Sequence, residues 1–573
     1  MHAFLRQTTA GLLFAWLCWA AQAASVAPVA AEHGMVVTAQ HLATQVGVDV
    51  LKQGGNAIDA AVAVGYALAV VYPAAGNLGG GGFMTIRLAD GRRTFLDFRE
   101  KAPLAATPGM FLGPDGRMVD ALSTRGYLAV AVPGTVSGLE TALARYGTKK
   151  RSELIAPAIG LAEQGFILEQ GDADKLRAVS DELRKDPAAA AIFLDHGQPF
   201  GPGQRLVQKD LAQTLRHIRD EGARGFYRGP VGAALVAASQ AGGGILTHAD
   251  LEQYQTRERD PVECDYRGYH LISAAPPSAG GVIVCEILNV LEGYPLSELG
   301  FGSAQAVHYE IEAMRHAYLD RNTYLGDPDF VDNPVARLID KNYAKQVRAA
   351  IDPSRAGMSE DLKPGVAPHE GSNTTHYCIV DQFGNAVSLT YTLNGWFGAK
   401  VVASGTGVLL NNEMDDFAAG EGTPNLYALV QGSANAIAPG KRPLSSMSPT
   451  IITRDDKLFM VLGTPGGSRI ISAVVQVILN VIDYGMNVQE AVDAPRLHQQ
   501  WRPESTSMEP FALSPDTIKI LLAMGHRFTR SRLANHVAAI LVGAPSLGTP
   551  AVGANRYYGA NDPRGNTGLA LGY

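Results

Sequence analysis

The segment Asn373-Thr374-Thr375-His376-Tyr377-Cys378-Ile379-Val380 sets a threonine pair at the mouth of a strand-like run. Such a border suits a chain that cuts itself before Thr374. The freed threonine would carry a nucleophile, its hydroxyl, and a base, its own α-amine, in one residue. A capped turn entering a sheet has the same sequence, so the chemistry needs a complete site: nucleophile, base, oxyanion donors and substrate clamps. Gly466-Gly467, where a helix is due to begin, offer backbone N–H groups and the positive end of the helix dipole. That would suit an oxyanion hole, although an ordinary glycine turn has the same letters. Arg99-Glu100 and Ser445-Ser446 could clamp a carboxylate, the arginine in a two-pronged contact. Asn394, Glu413 and Asp416 could hold an ammonium group. Together these groups describe a pocket for an amino acid's α-ammonium and α-carboxylate. Singly, each also reads as a surface or turn residue, and the spacing leaves their convergence open.

The elements that must position these groups follow from periodicity. Residues 42–52 are predicted as an amphipathic helix closed by Gly54-Gly55, and Asn56 caps a second helix over 57–72. The second is apolar all round except for Asp59, which marks a buried helix rather than a short, charged membrane span. The run Gly79-Gly80-Gly81-Gly82 fits no phosphate loop and points to close backbone approach. Residues 83–88 and 94–98 form a hairpin about Asp90-Gly91, with Arg99 and Glu100 just beyond it. The middle, roughly 135–350, is mostly helical in pattern. There Ser303 caps a helix with Val307, Ile311, Met314 and Tyr318 on one face. Glu312, His316 and Asp320 recur on another, expected to be a solvated face, with a metal site as the alternative. Residues 353–373 read as a Pro/Gly linker. After it come hairpins 376–380 with 386–392 and 450–453 with 458–463, then a buried helix over 468–483. Strand pairs before and after the linker, each with buried helices, predict two sheets packed face to face with helices outside.

At 573 residues the chain exceeds one ordinary hydrophobic core, so two domains or one large layered unit are expected. The net charge of −7, with no basic block, argues against nucleic acid or an anionic membrane as partner. Arg6, the apolar stretch 10–20 and Ala21-Gln22-Ala23 read as a secretory signal over 1–23, too short to span a bilayer. Cys264, Cys285 and Cys378 remain beyond it, and an odd number argues against a disulfide framework. Cys378 is expected to be a buried packing residue. There is no C-x-x-C pair and no zincin spacing, so no structural zinc site is expected.

Several segments carry a resemblance. They are Gly54-Gly55-Asn56-Ala57-Ile58-Asp59-Ala60-Ala61, Gly79–Gly82 with Phe83, Asp97-Phe98-Arg99-Glu100, Val132-Pro133-Gly134-Thr135-Val136 and Tyr324-Leu325-Gly326-Asp327-Pro328. They continue with Thr374-Thr375-His376-Tyr377, Asn411-Asn412-Glu413-Met414-Asp415-Asp416-Phe417, Pro443-Leu444-Ser445-Ser446-Met447-Ser448-Pro449 and Gly463-Thr464-Pro465-Gly466-Gly467-Ser468. The chain resembles a γ-glutamyltransferase (γ-glutamyl transpeptidase) of the N-terminal-nucleophile hydrolase superfamily. The resemblance implies a four-layer αββα sandwich formed by a large subunit, 24–373, and a small subunit, 374–573, cut from one precursor. It implies Thr374 as nucleophile, Thr392 as its supporting hydroxyl, and Gly466 and Gly467 as the oxyanion hole. Arg99, Ser445 and Ser446 match the α-carboxylate clamp. Asn394, Glu413 and Asp416 match groups around the α-amine. Glu413 departs from a glutamine common in the family. Residues 418–435, with Tyr427, look like a lid loop.

The substrates implied are a γ-glutamyl donor such as glutathione and an amino-acid, peptide or water acceptor. No metal or organic cofactor is implied, and secretion to the periplasm or beyond is. Two alternatives remain: a cephalosporin or glutaryl acylase of the same superfamily, and a periplasmic amino-acid- or peptide-binding protein that stays one chain.

Overall fold

The computed structural model describes residues 25–119, 121–359, 374–418, 425–427, 429–531, 535–543 and 556–573. The predicted signal (1–23), most of the linker and the greater part of 419–428 lie outside the described residues.

Two seven-stranded antiparallel sheets form the centre. The first runs, in spatial order, Leu569–Gly572, Met35–Thr38, Thr374–Val380, Ala386–Thr392, Gly81–Arg87, Arg93–Phe98 and Arg257–Arg259. The second runs Val29–Ala31, Tyr557–Asn561, Ala538–Val542, Lys457–Gly463, Thr450–Arg454, Tyr269–Ser273 and Val262–Tyr266.

The period of two in Thr374–Val380 shows how the layers assemble. Tyr377 and Ile379 enter the core under the helices His41–Lys52 and Ala57–Val71. Cys378 and Val380 point the other way and meet Ile451, Val461 and Ile540 of the second sheet. The outer face of the second sheet packs beneath Gly280–Leu291, Ala304–Tyr324 and Arg469–Ile482. The result is the predicted αββα sandwich. Asn56 caps Ala57–Val71 in a capping box with Asp59, and every residue of that helix is buried. The Asp59 carboxylate is satisfied there by the N–H groups of Thr148 and Lys149 and by the Thr148 hydroxyl. No helix among the described residues is long and apolar enough to cross a membrane.

Two expectations need correction. Cys264 and Cys285 form a disulfide that ties the strand Val262–Tyr266 to the helix Gly280–Leu291. Parity weighs against a many-bridge framework, but it leaves room for one pair and one single cysteine; Cys378 is the single one, and buried. The Glu312 face is also not solvated: Glu312 and Asp320 are 2% and 6% exposed. Other elements cover that side of the helix, and the Tyr343 hydroxyl donates to Asp320. A charge repeat on a helix cannot tell solvent from a polar neighbour.

The inner face of the central hairpin is polar near one end. His376 lies between Thr390 Oγ1 at 2.8 Å and Cys378 Sγ at 3.1 Å, and its ring fills the space a side chain at Gly463 would need. Burial pushes the imidazole pKa down to about 3. Below about pH 6.5 the unfolded chain therefore binds a proton here that the folded chain refuses, so stability falls as pH drops through that range. Between pH 7 and pH 5 His376 should cost about 2 kcal/mol. Denaturant unfolding of wild type and His376→Gln at both pH values measures this, and the variant should lose that part of the pH dependence. Equal slopes would show that the ring takes up protons when folded.

Candidate active site

The register of the central hairpin places Thr374 directly opposite Thr392, with both side chains on one face. Their hydroxyls lie 3.4 Å apart. Thr392 Oγ1 accepts the Asn394 N–H at 2.8 Å, which leaves its own O–H to point at Thr374. The Asn394 backbone turns left-handed, φ 68°, just past the strand end. This carries its side chain into the same cavity. Asn394 Nδ2 donates to the Asn412 carbonyl, while Oδ1 is buried with no donor among the described residues.

Gly466 and Gly467 form a turn that only glycine fits. Gly466 has φ 136° and Gly467 φ 57°. A Cβ at Gly466 would sit 2.1 Å from Asn535 Nδ2, and one at Gly467 2.1 Å from the Tyr427 ring. The helix Arg469–Ile482 takes up their carbonyls through Arg469 and Ile470 N–H. Gly467 lines the cavity and Gly466 precedes it. Tyr427 closes the space between the two arms. Its hydroxyl donates to the Asn394 carbonyl at 2.8 Å while its ring lies over Gly467.

The charged wall is a closed network. Arg99, fully buried, donates to Glu413 and Asp416 and stands 3.5 Å from Glu100. Burial opposes its charge, but the three carboxylates outweigh that and hold its pKa above the ordinary arginine value. Burial pushes Glu100 up to about 7 and Glu413 well above the carboxylate range, although Arg99 pulls both back. Glu413 Oε2 has no hydrogen-bond partner among the described residues. Ser445 and Ser446 complete the rim.

Arg99, Thr374, Thr392, Asn394, Glu413, Asp416, Tyr427, Ser445, Ser446 and Gly467 thus line one cavity. It holds about 20 Å³, room for roughly one water. A larger groove of about 1320 Å³, lined by residues such as Tyr146, Glu258 and Phe330, holds none of these groups.

Sequence reasoning missed Arg321. It lies at the cavity wall, 1% exposed, with Nη2 donating to Ser446 Oγ at 2.9 Å and Nη1 to Asn322. Burial pushes its pKa down to about 10. The only signal was its place three residues after Tyr318, on the face of Ala304–Tyr324 that packs inward. A lone arginine on a long helix has no motif to betray it.

The gamma-glutamyltranspeptidase family model matches residues 43–572. The chain belongs to this family. Among its relatives is the glutathione hydrolase proenzyme of Pseudomonas sp. (strain A14), 70% identical over 552 residues and 96% of each chain. The glutathione hydrolase proenzyme of Escherichia coli (strain K12) is 46% identical over 585 residues, covering 100% of this chain and 99% of that one. The crystal structure of cephalosporin acylase from Bacillus halodurans superposes with a TM-score of 0.83 at 27% identity, over 96% of this chain and 98% of that one. This transpeptidase family member therefore shares its four-layer architecture with an acylase, and the site has to distinguish the two activities.

Proposed function

We propose that the chain is a self-cleaving γ-glutamyltransferase and glutathione hydrolase. The cut falls between Asn373 and Thr374, giving fragments of about 24–373 and 374–573. The proenzyme names of the two relatives and the position of Thr374 at the start of its strand support the cut. Thr374 Oγ1 then attacks the γ-carbonyl of a γ-glutamyl amide. The freed α-amine takes its proton and returns one to the leaving amine. The Gly466 and Gly467 N–H groups hold the oxyanion, and Thr392 steadies the attacking oxygen. Water resolves the acyl-enzyme as hydrolysis, and an amino acid or peptide resolves it as transfer. The chemistry calls on no metal or organic cofactor. The N-terminal segment 1–23 supports export, to the periplasm or beyond.

The observation that carries the substrate choice is the ion network. Arg99 is paired with Glu413 and Asp416, and Asn394 Oδ1 and Glu413 Oε2 are buried acceptors without donors among the described residues. A zwitterionic γ-glutamyl head inserts into that network with charge conserved. Its carboxylate takes Arg99, helped by Ser445 and Ser446, and its ammonium takes Glu413, Asp416 and Asn394. A glutaryl head would draw Arg99 away and leave two buried carboxylates unpaired, a penalty of several kcal/mol. Hydrolysis of γ-glutamyl and glutaryl anilides tests this. The γ-glutamyl compound should have a kcat/KM at least about 100-fold higher. The reverse order would make the protein an acylase. A single full-length band on a denaturing gel, with ligand bound and no turnover, would make it a binding protein.

A further inference from the structure

Far along the helix Ala304–Tyr324 from Arg321, a second polar cluster is buried. His308 and Glu312 stand four residues apart on one face of that helix, and His526 approaches from the segment after Pro515–Ala523. The exposures of the three are 0%, 2% and 2%. One ligand atom from each lies within 4.8 Å of the other two. His308 Nδ1 and His526 Nε2 face each other at 2.8 Å.

Three further features bear on what the cluster holds. His308 Nε2 lies 2.8 Å from the Asp352 carbonyl. A ring N–H donated there fixes the tautomer and aims the Nδ1 lone pair into the cluster, as the outer partners of metal-bound histidines do. His526 Nδ1 is buried with no hydrogen-bond partner among the described residues, so it is open to take the ring proton that Nε2 otherwise donates to His308 Nδ1. Among the described residues, Glu312 and Glu504 share one guanidinium, that of Arg315, whose contact with Glu312 is a long 3.4 Å. Two imidazoles beside an undercompensated buried carboxylate ask for a cation.

We propose that His308, Glu312 and His526 bind one divalent first-row transition ion, with zinc as the best match to two nitrogens and a carboxylate. Tetrahedral zinc at its usual bond lengths needs the two nitrogens about half an ångström further apart, a shift within reach of side-chain rotation. The ion is remote from Thr374 chemistry and acts structurally, pinning residue 526 to the helix that carries Arg321. On the cleavage proposed above, His308 and Glu312 fall on one fragment and His526 on the other, so the ion also bridges them. That consequence rests on that reading; binding itself does not.

The test uses full-length protein without a histidine tag, stripped by chelator and titrated with zinc alone. Calorimetry and elemental analysis should give one zinc per chain, and saturation should raise the melting temperature by several degrees. Glu312→Gln, which keeps the shape, and His526→Ala should each weaken binding by at least about 100-fold and abolish the thermal shift. Uncleaved Thr374→Ala should bind zinc as wild type does, which separates the site from the cleavage. No binding at a large excess of zinc, or binding that neither ligand variant alters, would overturn the proposal and leave a hydrogen-bonded histidine pair.

Discussion

Thr374→Ala should accumulate as one uncut chain with activity lower by roughly 10⁴-fold or more. One substitution removes both reactions because the same oxygen is assigned to both. The scissile carbonyl of Asn373 and the γ-carbonyl of substrate would each be attacked by Thr374 Oγ1. The α-amine proposed as base would exist only after the first attack. Thr374 is 6% exposed and its hydroxyl partner among the described residues, Thr392, is 3.4 Å away, so removing the hydroxyl takes little from the fold. The variant should therefore melt within a few degrees of the uncut wild type. Edman sequencing of the smaller wild-type fragment should begin Thr-Thr-His-Tyr. A different first residue, or a cut Thr374→Ala chain, would remove Thr374 from the centre of the mechanism. Thr374→Ser retains the oxygen and should still cleave.

Arg99→Ala should raise KM for γ-glutamyl substrates by roughly 30- to 1,000-fold, equivalent to about 2–4 kcal/mol, while self-cleavage still proceeds. The arginine is assigned to the substrate carboxylate and not to the scissile bond. Its loss has a second effect, because Glu100, Glu413 and Asp416 all lie against this guanidinium. Without it they are buried charges lacking their nearest cation, and about 3–5 kcal/mol of stability is at risk. Glu100 and Glu413, already raised by burial, escape by taking up protons, so their folded pKa values rise further above those of the unfolded chain. In the window between the two values the folded state then holds more protons, and the variant gains stability as pH falls. That is the opposite sign to the His376 effect. Thermal unfolding across pH should show the variant's deficit shrinking towards acid, and adding Glu413→Gln should recover part of it. An unchanged KM in cleaved Arg99→Ala would place the carboxylate clamp elsewhere.

Much of the fold was legible because its signals are local. Alternation marked both central hairpins, Asn56 and Ser303 marked helix starts, and unbroken apolarity marked Ala57–Val71 as interior. The Gly466-Gly467 pair was legible as a special turn, since a dihedral that excludes side chains demands glycine. The importance of Thr392 entered only through family resemblance. Its eighteen-residue distance from Thr374 acquires meaning from the hairpin register, which sets the two face to face.

The sequence by itself determined the residue types, the layer-forming periodicities and the threonine at the strand mouth. Only the tertiary structure decided what those charges do with one another. It showed that Arg99 pairs with Glu413 and Asp416, that Arg321 reaches Ser446, that Cys264 meets Cys285, and that Glu312 faces two histidines. Apart from His308 and Glu312, which share one helix, each of these contacts joins side chains from segments distant in sequence. Local pattern reports which way a side chain faces; what waits there depends on how the layers close.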